Sequence, residues 1–185
     1  MLSRRTFASL MGAAANVGGA AASSASAPAL NLDALPLAAH EAAMRLAIAV
    51  AKANPFYPFG AVIIDAADRT VLAQGVNNSK TNPVLHGEIV AINDYVALHG
   101  NQGWADGIQY TTGEPCPMCM SAIVWAGIGG VVYGSSITTL AEVGIPQIMV
   151  DESVVRDAAP FYRGRIMGGV LRAETDALFR NRQRG

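Results

Sequence analysis

The chain has 185 residues, of which 51% are hydrophobic and 15% charged, and its net charge is −1. That is enough apolar material for one domain with a full core, and it excludes a disordered or fibrous chain. With no basic excess there is no footprint for a phosphate backbone, so nucleic acid is not the expected partner.

Residues 1–29 do not read as part of that domain. Ser3-Arg4-Arg5-Thr6-Phe7 opens the chain, and an Ala- and Gly-rich apolar run follows over 10–22. Small residues over 23–29 suit a signal-peptidase site, at Ala25-Ser26-Ala27 or at Ala27-Pro28-Ala29. The whole resembles a twin-arginine export signal, which implies a periplasmic or secreted protein. An Ala-rich tail is the alternative; a stable membrane anchor is not expected, because the run is short and poor in Leu and Ile. Removing the segment takes away Arg4 and Arg5, which leaves 11 basic and 14 acidic residues and a charge of −3. Export of this type carries folded proteins, so thiolates could take up metal in the reducing cytoplasm first. The remainder, 30–185, is expected to be a single domain.

A helix is predicted over 36–54, with Leu37, Met44, Ile48 and Ala51 on its apolar side. Pro55 and Pro58 end it. The apolar run Gly60-Ala61-Val62-Ile63-Ile64 reads as a strand buried on both faces. A polar turn over 65–69 leads to the returning strand of a hairpin, 70–74. A second helix is predicted over 86–98, with Ile89, Ile92 and Val96 inward. A strand follows over 107–112, then a helix over 116–126 flanked by Pro115 and Gly127, then a strand over 130–133. The rest reads as a loop with a short helix (135–150), a further short helix (151–160), a fifth strand (166–170) and a closing helix (171–182) with Leu178 and Phe179 inward. This alternation predicts an α/β arrangement with helices on both faces of one sheet.

Chemistry concentrates in two places. His86-Gly87-Glu88 supplies a histidine and an acid, and Pro115-Cys116-Pro117-Met118-Cys119 contains the only two cysteines. Two thiolates at a helix start can chelate one ion, aided by the positive end of the helix dipole. His86 makes a third ligand, and a three-ligand zinc site keeps a fourth tetrahedral position open. Glu88 is placed to take a proton from the water there and pass it on.

His-x-Glu followed by Pro-Cys-x-x-Cys resembles the zinc-dependent cytidine deaminase superfamily. Pro58-Phe59-Gly60-Ala61-Val62-Ile63, Gly75-Val76-Asn77-Asn78 and Glu114-Pro115-Cys116-Pro117-Met118-Cys119 are similar to the branch of bacterial guanine deaminases and tRNA adenosine deaminases. The resemblance runs over about 38–179. It implies a three-layer α-β-α sandwich around a mixed five-stranded sheet, one Zn2+ per subunit on His86, Cys116 and Cys119, and Glu88 as proton shuttle. It further implies that Asn77 hydrogen-bonds the substrate ring and Phe59 stacks on it. The backbone N–H groups of Gly87 and Cys116 would steady the tetrahedral centre. The expected reaction is hydrolytic deamination of a small aminated heterocycle, a guanine-like purine first, by a homodimer.

Two positions depart from that pattern. Gly87 stands where relatives usually carry Ala, adding backbone freedom. After Ala141-Glu142-Val143-Gly144, guanine deaminases have an acidic segment that helps select the base; this chain reads Ile145-Pro146-Gln147.

The plainer readings are kept alongside. The fold could serve a tRNA adenosine deaminase, and Cys116 and Cys119 alone could form a redox or non-catalytic zinc module. His40 and His99 are expected on the surface, and Trp104 and Trp125 in packing. Glu114 is read as a complement to the next helix's N-terminus, and Arg180, Arg182 and Arg184 as a solvated helix end.

Overall fold

The computed structural model describes residues 29–184, so the predicted export signal lies outside the described residues. A 3₁₀ turn at Leu32–Ala34 precedes α1 (Leu37–Ala51), the hairpin β1 (Gly60–Asp65) and β2 (Val71–Val76), and α2 (Gly87–His99). Then come β3 (Gly107–Gly113), α3 (Pro117–Ala126), β4 (Gly130–Ser135), α4 (Ile137–Glu142), α5 (Glu152–Asp157), β5 (Arg165–Gly168) and α6 (Arg172–Arg180). The sheet order is β2-β1-β3-β4-β5. β1 runs antiparallel to both β2 and β3, whereas β3, β4 and β5 are parallel, so the predicted mixed five-stranded sheet is present.

Strand alternation sends the two faces into two cores. Val62, Ile64, Ile108, Tyr110 and Val132 pack with Met44, Ala47 and Ile48 of α1. Ala61, Ile63 and Val131 pack instead with Ala91 and Tyr95 of α2 and with Met120 and Ile123 of α3. Met44, Ile63 and Ile123 are fully buried, each worth about 1.5–3 kcal/mol relative to exposure. Helices therefore cover both faces, and β3 and β4 of the parallel half are buried, whereas the edge strand β5 is partly exposed.

Three details differ from the sequence reading. Leu37 is 62% exposed, and its expected place inside is taken by His40, which is 1% exposed. His40 is bonded at both ring nitrogens, to the Tyr110 hydroxyl at 2.9 Å and the Leu32 carbonyl at 3.0 Å. A histidine with both nitrogens satisfied can be buried, and here it ties the 3₁₀ turn to the core. His99 stays exposed, as expected.

The third is the buried face of α2, which is Gly87, Glu88, Ala91 and Tyr95; of the residues expected inward Ile92 does pack on the core, half-buried, while Val96 is exposed. Small residues decide this. A Cβ on Gly75 of β2 would lie 2.3 Å from the Ala91 nitrogen and 2.4 Å from the Gly87 carbonyl. Helix and strand thus pack backbone to backbone, which carries the polar start of α2 into the interior.

Candidate active site

The site is built from the starts of two helices. His86 and Cys116 are the N-cap residues of α2 and α3, both with extended backbone. Pro117 follows at the first position of α3, where it costs no hydrogen bond. Gly127 closes the same helix in a left-handed conformation, with its N–H reaching the carbonyls of Ile123 and Val124. β3 runs directly into α3, and the backbone contact at Gly75 sets α2 beside it. The separation of thirty positions between His86 and Cys116 is bridged in this way.

The side chains of His86, Cys116 and Cys119 converge. Their ligand atoms all lie within 4.8 Å of one another. His86 Nδ1 is 3.7 Å from Cys116 Sγ and 3.6 Å from Cys119 Sγ. Bond lengths of about 2.3 Å for Zn–S and about 2.0–2.1 Å for Zn–N put sulfur and nitrogen about 3.6 Å apart across a tetrahedral edge. The spacing and donor chemistry therefore fit zinc, and three donors leave one tetrahedral position open.

The same crowding perturbs protonation. Cys116 is drawn down to about 4, first by its hydrogen bond with Cys119 and then by His86, against its burial. Cys119 is pushed up by that same bond and by burial. His86 is raised chiefly by its hydrogen bond to Cys116. A cation is held by the deprotonated forms of these groups, so binding one would release protons.

Glu88 lies in the first turn of α2 and is 3% exposed. Thr111 Oγ1 donates to its Oε1 at 2.9 Å, and Gln109 Nε2 donates to its backbone carbonyl at 3.2 Å. Burial pushes the Glu88 carboxyl above the usual carboxylate range. An acid with a raised pKa, held by one oxygen beside a metal donor set, is suited to accepting and returning a proton.

A cavity of about 390 Å³ opens onto this cluster; Phe59, Asn77, His86, Glu88 and Cys116 are among the residues lining it. Ser79 donates to Asn77 Oδ1 twice, from its backbone N–H at 3.1 Å and its hydroxyl at 2.8 Å. The Asn77 group left for a ligand is therefore its NH₂, a donor. The Phe59 ring rests against Phe179 of α6, with centroids 4.8 Å apart. Gly87 is not on the cavity wall: its Cα faces the Phe59 carbonyl, where a Cβ would sit only 2.8 Å away. Here glycine provides room for close contact rather than backbone freedom. Cys119 is fully buried behind the wall.

Several lining or supporting residues escaped the sequence reading. Tyr57, Ser79, Pro83, Met118 and Ile148 line the cavity beside Ile145-Pro146-Gln147, the stretch singled out in the sequence. Thr111 and Gln109 had no local signal, since what marks them is their placement on the α2 face of β3. Glu114 also lines the cavity, but it does not serve the next helix. Its Oε2 accepts the Ile137 N–H at 2.9 Å and its Oε1 the Glu152 N–H at 3.1 Å, at the starts of α4 and α5. Arg182 is not a solvated helix end, because its guanidinium donates to the carbonyls of Val143, Gly144 and Phe179.

The family model for the cytidine and deoxycytidylate deaminase zinc-binding region matches residues 37–135. The chain belongs to that family. It is similar to a guanine deaminase of Bacillus subtilis (strain 168), 38% identical over 112 residues that make up 57% of this chain and 70% of the relative. It is also similar to a tRNA-specific adenosine deaminase of Rickettsia felis, 32% identical over 66% of this chain and 83% of that protein. In fold it matches a guanine deaminase structure from Nitrosomonas europaea with a TM-score of 0.65 at 22% identity, over 76% of this chain and 82% of the other.

Proposed function

We propose that the chain hydrolyses the exocyclic amino group of a guanine-like purine, with His86, Cys116 and Cys119 holding one zinc. Water adds to the ring carbon bearing NH₂, that carbon's bond to nitrogen breaks, and the products are a ring carbonyl and ammonia. Zinc supplies Lewis acidity, lowering the pKa of a water to about 7 so that a nucleophile exists at neutral pH. Glu88 takes one proton from the attacking water and delivers it to the ring nitrogen, then takes the second from the hydroxyl left on the tetrahedral carbon and delivers it to the departing amino group. Thr111 fixes the carboxylate during both transfers. Phe59 gives the ring a flat apolar surface, and the Asn77 NH₂ donates to an acceptor on its edge. Of the two backbone N–H groups expected at the tetrahedral centre, that of Cys116 keeps the assignment because Cys116 lines the cavity and Gly87 does not.

The observation that carries this reading is the donor triad at tetrahedral spacing with buried Glu88 beside it, opening on a cavity sized for a small ring. The guanine-like preference draws on the relatives and on the Asn77 donor, which complements the acceptor edge that guanine presents at O6 and N7. The neutral Ile145-Pro146-Gln147 wall stands against a guanine deaminase of the usual acidic pattern.

Ammonia release from a panel of purines, pyrimidines, pterins and triazines by the zinc-loaded protein tests the proposal. Turnover of a purine base is expected; silence across the panel would overturn it. Preference for adenosine in tRNA would favour the second reading, which the charge of −3 after signal removal disfavours. Export is proposed from Ser3-Arg4-Arg5-Thr6-Phe7 and is tested by cell fractionation. A homodimer is proposed as well, and the 79%-exposed Trp125 stacked on Phe161 is apolar surface suited to it; sedimentation reads its mass.

A further inference from the structure

Segment 143–151 joins α4 to α5 and carries four consecutive cavity residues, Ile145, Pro146, Gln147 and Ile148. It has no helix or strand of its own. Its shape must therefore come from what holds it. Glu114, 5% exposed, bonds the first N–H of each helix that bounds the segment, one with each carboxylate oxygen. Arg182 holds the segment's entry: Nη1 donates to the Val143 carbonyl at 2.9 Å and Nη2 to the Gly144 carbonyl at 3.2 Å. The same Nη1 reaches the Phe179 carbonyl at 3.1 Å, and Phe179 clusters with Ile145 and Phe59. All five are bonds from or to a charged group, which are stronger than neutral ones.

We propose that Glu114 and Arg182 are positioning residues that set the substrate-selecting wall at 145–148, acting through the backbone and not through the substrate. Glu114 lines the cavity, yet both its oxygens are already engaged by N–H groups, so it braces the wall and does not read the ring. This rests on the reading that the cavity holds the aminated ring.

The test uses the zinc-loaded full chain and its Arg182→Ala, Arg182→Lys and Glu114→Gln variants. Hydrogen exchange is measured across 137–152, and kcat and KM are measured on the same panel of bases. Exchange is expected to quicken over 143–151 in Arg182→Ala, and at Ile137 or Glu152 in Glu114→Gln, since the amide side chain offers one acceptor oxygen instead of two. KM for the preferred base is expected to rise about 10-fold or more in Arg182→Ala, in keeping with lost bonds to a charged group. Its kcat should stay within about threefold and zinc at one per chain, while preference among bases narrows; Arg182→Lys should recover part. A role in stability alone would lower Tm and the active fraction but leave KM and base preference in place. Unchanged exchange in both Arg182→Ala and Glu114→Gln overturns the proposal. So does faster exchange with unaltered KM and base preference. A wild type silent on every base is a failure of the deaminase reading, visible before any variant is compared, and the brace is then decided by exchange.

Discussion

Replacing Gly87 with Ala probes the contact that joins the two halves of the site. The added Cβ would sit 2.8 Å from the Phe59 carbonyl oxygen and 3.1 Å from its carbon. Comfortable packing needs about 3.5 Å, so the gap must open by about 0.7 Å. The Phe59 carbonyl also accepts the Asn77 N–H at 2.8 Å. Displacing it moves Phe59, Asn77 or the start of α2, which lies between His86 and Glu88. Overpacking of this kind costs about 1–3 kcal/mol, and Ala returns up to about 1 kcal/mol as a better helix former. The expected net destabilisation therefore lies between about 0 and 3 kcal/mol. A shift of this size among reacting groups is expected to lower kcat/KM by about 10- to 100-fold. Steady-state kinetics on the preferred base, metal analysis and thermal unfolding measure the three quantities. A variant with wild-type kcat/KM and wild-type Tm would refute the steric argument, since the contact would then have relaxed at no cost.

Four further outcomes are expected. Glu88→Gln should keep the fold, the zinc and the bond from Thr111, yet lose about 10²- to 10⁴-fold in turnover; near-normal rates would remove Glu88 from its role. Chelation should abolish activity and lower Tm, because a metal at 1,000 times its Kd adds about 4 kcal/mol, and a Tm indifferent to chelator would show that the triad does not hold zinc. Ser79→Ala removes the hydroxyl donor on Asn77 Oδ1 and leaves the backbone N–H, so it should raise KM about fivefold, the worth of about one hydrogen bond, with kcat little changed; an unchanged KM would show that the Ser79 hydroxyl does not orient Asn77. Tyr110→Phe leaves one nitrogen of buried His40 unpaired, so unfolding should be easier by about 1–3 kcal/mol with kinetics intact; a kinetic change would mean that α1 acts on the site.

The sequence exposed those parts of the protein whose signals are local. The strand β1 is marked by an apolar run, and α3 by Pro115 and Gly127. His86, Glu88, Cys116 and Cys119 were legible because metal chemistry demands rare residue types at short spacing. What was not legible depends on contacts between distant segments. Leu37 obeyed helical periodicity and still faces solvent, because His40 found partners in Tyr110 and Leu32. The inward face of α2 was set by the absence of side chains at Gly75 and Gly87, a feature that hydrophobic periodicity cannot register. Glu114 was read against its neighbour in sequence, but its oxygens reach residues 23 and 38 positions away. Arg182 looked like a free helix end because its acceptors are carbonyls of another segment, which no side-chain pattern announces.

The bonds made by Glu114 and Arg182 end on backbone N–H and C=O groups, which every residue but proline supplies in full. The frame of segment 143–151 is thus indifferent to the side chains it displays. Such an arrangement lets Gln147 and Ile148 be exchanged by mutation, in nature or in a library, while the anchoring of the segment persists; Ile145, buried against Leu140 and Phe179, stays part of that anchor. Among the walls of the cavity it is the one where new substrate preferences can be explored at little risk to folding, and variation confined to these two positions is the economical place to begin.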